Sequence, residues 1–83
     1  MDKKFIQRLT AQTVYLWEDE QQLFIKSLPG DGGFLAKYPG GEEFKITDDS
    51  DQVTRALEAQ IEVSEKNYLA NKVPKVRSVP LGI

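Results

Sequence analysis

Apolar and polar positions alternate along the first half of the chain, and the period changes near residue 48. In "QTVYLW", Val14 and Leu16 fall on one side, and Thr13, Tyr15 and Trp17 on the other. That period of two predicts a β-strand near residues 12–18. The polar stretch "EDEQQ" then gives way to "LFIKSL", a second strand near 22–28 with Leu23 and Ile25 on one side and Phe24 and Leu28 on the other. The two runs form a hairpin. "FLAKY" and "EFKIT" supply two further short runs, each introduced by a turn rich in proline and glycine, "LPGDGGF" and "YPGGEE". Four strands joined in this way predict an antiparallel meander.

Beyond Ile46 the spacing becomes helical. Asp48, Asp49 and Ser50 offer N-cap side chains. From Val53, the residues Ala56, Leu57, Ile61, Val63, Ser64 and Tyr68 share one stripe, opposite Arg55, Glu58, Glu62 and Glu65. A single amphipathic helix from about Asp51 to Tyr68 is expected. Leu69 lies on its polar side, so the helix is expected to fray there. Phe5, Ile6 and Leu9 suit a short N-terminal helix, and they also suit an extended first strand. The stretch "KVPKVRSVPLGI" carries Pro74 and Pro80, which exclude a regular helix and favour extension. The fold class is therefore α+β: a meander of about four strands packed by one long C-terminal amphipathic helix, with a possible short N-terminal helix. Residues 1–72 form one domain, and residues 73–83 an extended, proline-containing tail.

The strands carry apolar side chains on both faces. Phe34, Ala36 and Tyr38 oppose Leu35, just as Tyr15 and Trp17 oppose Val14 and Leu16. One amphipathic helix covers one face. The other needs a second cover, because each large apolar side chain left in water forgoes about 1.5–3 kcal/mol. A homodimer, or a complex with another protein, is the expected cover, with Tyr15, Trp17, Phe24 and Leu28 on the sheet and Val76, Val79 and Leu81 in the tail as the contact residues. Aromatic residues suit this role because they bury much area with few rotatable bonds.

Composition narrows the chemistry. The 83-residue chain has no cysteine and no histidine. Disulfides, thiolate and imidazole metal sites, and triads built on Cys or His are excluded. No cofactor motif is present. In the glycine-rich stretch, Gly33 leads into Phe34 and Leu35 rather than into the Lys-Ser/Thr and helix of a phosphate loop, so it reads as two turns. The acids at 18–20, 42–43 and 48–51 lack the spacing of a calcium loop. A non-catalytic protein without a bound metal is expected. No run approaches a membrane span or a secretory signal, so the expected compartment is the cytoplasm. By fold-level analogy alone, the profile suits a small accessory protein of bacteria.

Charge is segregated. Residues 12–65 hold twelve acids against four bases, whereas residues 66–83 carry Lys66, Lys72, Lys75 and Arg77 and no acid. The N-terminal segment adds Lys3, Lys4 and Arg8. If both ends lie together, these bases form a nucleic-acid-binding patch, the alternative function. The acidic middle and a pI near 5.0 weigh against it. The leading expectation is a self-associating protein-interaction or regulatory module.

Overall fold

The computed structural model describes residues 3–75. The chain runs α1 (Lys3–Ala11), β1 (Val14–Glu18), β2 (Leu23–Ser27), β3 (Phe34–Lys37), β4 (Phe44–Ile46), α2 (Asp51–Ala59), β5 (Glu62–Val63) and α3 (Glu65–Leu69). It is an α+β fold with one antiparallel sheet in the order β4-β3-β2-β1-β5. No helix among the described residues is long and apolar enough to cross a membrane.

The meander follows the alternation read from sequence. Leu16 stands opposite Ile25, and Ile25 opposite Ala36, on one face. Trp17 stands opposite Phe24 on the other. The turns follow their proline and glycine residues. Gly41 N–H donates to the Tyr38 carbonyl at 2.8 Å with Gly40 at φ +81°, so Pro39–Gly40 are the central pair of a turn that needs positive φ at its third residue. Pro29 is displaced by one place from the corner position that favours proline: the Gly32 N–H to Pro29 carbonyl bond makes it the first residue of its turn.

Among the described residues the single long helix is not formed, and there are five strands rather than four. Helix α2 starts as its sequence indicates, with the Ser50 hydroxyl accepting from Val53 N–H at 3.3 Å. It stops at Gln60, which adopts the left-handed conformation (φ 53°, ψ 42°) while its N–H donates to the Ala56 carbonyl. A non-glycine residue in that conformation costs about 1 kcal/mol or more. The following residues offset it. The β-branched pair Ile61 and Val63 brings the chain alongside β1: Tyr15 pairs with Val63, and Trp17 N–H reaches the Ile61 carbonyl at 2.8 Å. Ser64 then caps α3 by accepting from Asn67 N–H at 3.1 Å. Asn71, left-handed at φ 57°, ends α3, with Lys72 N–H on the Asn67 carbonyl and Asn71 N–H on that of Tyr68.

This interruption carries the chain around the β1 edge from one sheet face to the other. The aliphatic face packs Val14, Leu16, Leu23, Ile25 and Ala36 against Phe5 of α1 and against Val53 and Ala56 of α2. The opposite face packs Trp17 and Phe24 against Tyr68 of α3, with Tyr15, Ile61 and Val63 around them. The second cover that the apolar count requires is thus supplied within the chain.

Candidate functional site

The aromatic face is a closed cluster. Trp17 and Phe24 are 0 % exposed and Tyr68 1 %. Ring centroids lie 4.9 Å apart for Trp17–Phe24 and 5.5 Å for Phe24–Tyr68, both edge-to-face, and 4.7 Å for Tyr15–Tyr68. Such pairs contribute about 0.5–1.5 kcal/mol each beyond area burial. Their polar tips are satisfied. The Trp17 indole donates to Asp19 at 3.1 Å, Tyr15 hydroxyl to Glu65 at 3.1 Å, and Tyr68 hydroxyl to Glu43 at 2.5 Å.

Lysines complete the cluster. Lys37 lies 4.2 Å from the Tyr68 ring centroid and 5.7 Å from that of Phe24, and Lys26 lies 5.9 Å from both tyrosines. Lys26 also reaches Glu43 at 3.4 Å. Burial, then the bond to Glu43, raises the Tyr68 phenol well above its ordinary value. The same bond holds the Glu43 carboxyl below its usual range, with Lys26 and Lys37 adding to it. Both groups are driven away from neutrality, the reverse of what proton transfer near pH 7 requires.

The proposed contact residues therefore separate. Trp17 and Phe24 are core in the single chain rather than surface anchors. Tyr15 is half-buried at the cluster margin. Leu28 lies beyond β2, half-buried at the glycine-rich turn, where its Cβ would meet a Cβ at Gly32 at only 2.6 Å. Val76, Val79 and Leu81 lie outside the described residues.

The basic candidates also separate. Arg8 donates to both carboxylate oxygens of Glu62 through its two terminal guanidinium nitrogens. It shares with Lys3 and Lys4 a helix packed on the aliphatic face, whereas exposed Lys72 and Lys75 follow α3 on the aromatic face. The described basic residues of the two ends thus belong to, or follow, helices packed on opposite faces of the sheet, and Arg77 lies outside the description. Instead Lys26, Lys37 and Lys45 share the aromatic face of β2, β3 and β4, as their register requires. Alternation alone exposes that trio in sequence.

The glycine-rich turn offers no anion cradle. Three of its N–H groups are engaged: that of Gly30 on the Thr10 carbonyl, of Gly32 on the Pro29 carbonyl, and of Leu28 on the Gly33 carbonyl. The hollow beside it, about 400 Å³, is flanked by Asp31 and Asp48, which would repel phosphate. Among the described residues no cluster of three or more acids is placed to hold a metal.

A cleft lies at the far end of β1, between the β1–β2 turn and the end of α2. It is an open hollow of about 850 Å³. Its base is organised by Glu18, only 2 % exposed, which accepts from Glu20 N–H at 3.1 Å, Gln21 N–H at 2.7 Å and Arg55 Nε at 2.8 Å. A buried carboxylate satisfied in this way fixes the turn against α2. The sequence places Glu18 on a solvated acidic tip; the structure buries it because Leu16 and Glu18 share the face that α2 covers. Ala59 and Ile61 give the cleft an apolar lining, Asp19, Glu20 and Glu58 add carboxylates, and Arg55 adds a cation that lies 3.2 Å from Glu20. The half-exposed stacked pair Tyr38 and Phe44, with centroids 6.1 Å apart, is a separate apolar feature at the β3–β4 end.

Comparison of the chain with family models, curated proteins and solved structures finds no match.

Proposed function

We propose that the protein is a non-catalytic protein-binding module that receives basic, partly apolar chain segments in the cleft between the β1–β2 turn and α2. One observation carries this reading. An apolar lining from Ala59 and Ile61 is combined with the exposed carboxylate of Glu58, beside Glu20, which lies 3.2 Å from Arg55, and Asp19, which accepts from the Trp17 indole, on a base held rigid by the Glu18–Arg55 contact. Apolar lining supplies burial, and flanking charge selects the partner and speeds encounter. The absence of histidine and cysteine from the sequence, together with the direction of the Glu43 and Tyr68 shifts, favours binding over catalysis.

Self-association remains part of the proposal, but not through the Trp17–Phe24 face, which α3 occupies. The test is fluorescence anisotropy with labelled peptides matched in apolar content and opposite in charge. The basic peptide should bind and lose at least tenfold in affinity to Glu58→Lys. Equal binding of both peptides, or no effect of Glu58→Lys, contradicts it.

A second reading, nucleic-acid binding, is favoured by Lys26 and Lys45 lying on one sheet face, Lys37 between them being buried, with Lys66, Lys72 and Lys75 on and after the helix packed there. A salt-sensitive gel shift weakened by Lys45→Glu would support it; no shift at low salt would end it.

A further inference from the structure

We infer that two copies of this chain associate by pairing their β4 strands edge to edge, antiparallel, with Phe44 on the two-fold axis. The inference goes beyond the cleft and does not depend on it; it gives self-association a surface.

The first support is the outer side of β4, which ends the sheet. Leu28 N–H donates to the Gly33 carbonyl at 2.9 Å, just beyond the pairing of Ser27 with Phe34. Bonded and non-bonded pairs alternate along an antiparallel ladder. Leu35 and Lys37 therefore turn their backbone groups to β2, and Phe34 and Ala36 turn theirs to β4. On β4 the same alternation directs Phe44 and Ile46 inwards and Lys45 outwards, with Glu43 outwards just before it. Among the described residues nothing pairs with these outward groups. The other edge is less open: β5 is two residues long and lies between α2 and α3.

The second support is an unfinished apolar row. Leu16, Ile25, Ala36 and Phe44 stand side by side across four strands on the aliphatic face. The first three are 0 % exposed, whereas Phe44 is 42 % exposed. Helix α2 packs on β1, at the other end of the row. Tyr38 stacks on Phe44 but is itself 49 % exposed. A two-fold at Phe44 continues the row into the same residues of a second copy and brings two such aromatic pairs together.

The third support is charge. A lysine at the centre of an edge strand ordinarily discourages pairing. Here Glu43 lies two places before Lys45 and on the same face. With Phe44 opposite Phe44, each Glu43 stands opposite the Lys45 of the other copy. Pairing centred on Lys45 would set two lysines opposite each other instead, so the lysine selects the register. Both groups are available. Lys45 is exposed and has no ion pair among the described residues. The Tyr68 hydroxyl and Lys26 both address Oε2 of Glu43, which leaves Oε1 to the second copy. An edge that complements its own reverse is what an isologous two-fold contact requires, and this points to a second copy rather than to a different protein.

The test exploits the absence of native cysteine. Across the two-fold, the Cα atoms of the non-bonded Phe44 pair would lie about 4.5 Å apart, within disulfide reach, and the two Lys45 positions would lie on a diagonal of about 7–8 Å. In the full chain at micromolar concentration, Phe44→Cys should oxidise to a linked dimer at least tenfold faster than Lys45→Cys. Sedimentation equilibrium of the native chain should show a dimer, weakened at least tenfold by Lys45→Glu, with Trp17 emission as the check on folding. Mixing Lys45→Glu copies with Glu43→Lys copies should restore association, since every facing pair is then opposite in charge. A native chain that stays monomeric, association untouched by Lys45→Glu, or equal cross-linking of the two cysteine variants overturns the inference. If Glu43→Lys fails to fold, the cross-linking rates and Lys45→Glu still decide it. Neither Phe44, Lys45 nor Glu43 lines the cleft, so peptide binding there stands or falls separately.

Discussion

The two faces of the sheet are built on different principles. The aliphatic face is covered by two nine-residue helices and filled by Val, Leu, Ile and Ala side chains with Phe5. Its cohesion is spread over many contacts, none of which is directional. The aromatic face is covered by a five-residue helix that contributes one buried side chain, Tyr68. A helix that short is not stable by itself, so its position depends on edge-to-face rings, on two lysines beside those rings and on one hydrogen bond to Glu43. The first face should resist local opening. The second should open as a unit when its single anchor is removed.

Tyr68→Ala is the sharpest way to break that contrast. The expected loss is about 3–5 kcal/mol of local stability, in the range of large aromatic truncations. In hydrogen exchange, the amides of β5 and α3 should lose protection while those of β1–β3 keep theirs. Ile25→Ala, on the other face, should cost about 2–5 kcal/mol and lower protection across the sheet together. If the two variants give the same exchange pattern, the faces are not independent covers.

Gln60→Gly sharpens the comparison from the opposite direction. Gln60 holds positive φ at the point where the chain passes from one face to the other. Glycine there should raise the unfolding free energy by about 1 kcal/mol, read as a higher denaturation midpoint. A loss instead would mean that α2 and α3 gain from a continuous helix. The smallest effect concerns acid. Glu43 on the aromatic face and Glu62 beside Arg8 are both held below the ordinary carboxylate range. Each therefore contributes stability present above the unfolded value, about 4.3, and lost as pH falls through its lower folded value. Their side chains are 38 % and 41 % exposed, so screening leaves well under 1 kcal/mol from each. Glu43→Gln should flatten the acid dependence of α3 protection, and Glu62→Gln that of α1.

Much of this molecule was legible in its alternation. Val14–Leu16 against Tyr15–Trp17, and Leu23–Ile25 against Phe24, correctly describe a sheet apolar on both sides, and the need for a second cover follows from it. The identity of that cover was hidden by a coincidence of period. Ile61, Ser64 and Tyr68 continue the 3.6-residue stripe of Val53, Ala56 and Leu57, yet they serve the opposite face, because Gln60 turns the chain without the glycine or proline that usually marks a helix end. The available signals were the β-branched residues at 61 and 63 and Ser64 as a second N-cap. Glu43 and the Glu18–Arg55 contact are tertiary pairings across 25 and 37 positions, for which the local pattern holds no cue.

Trp17 is the only tryptophan in the chain, and it tests most directly whether the molecule shelters its own aromatic face. Acrylamide quenching of its emission should be measured in the native chain, diluted until sedimentation shows a monomer, and again in Tyr68→Ala. Burial by α3 predicts weak quenching in the native monomer and strong quenching in the variant. Strong quenching in the native monomer, relieved only at concentrations where copies associate, would show that a second molecule covers that face instead.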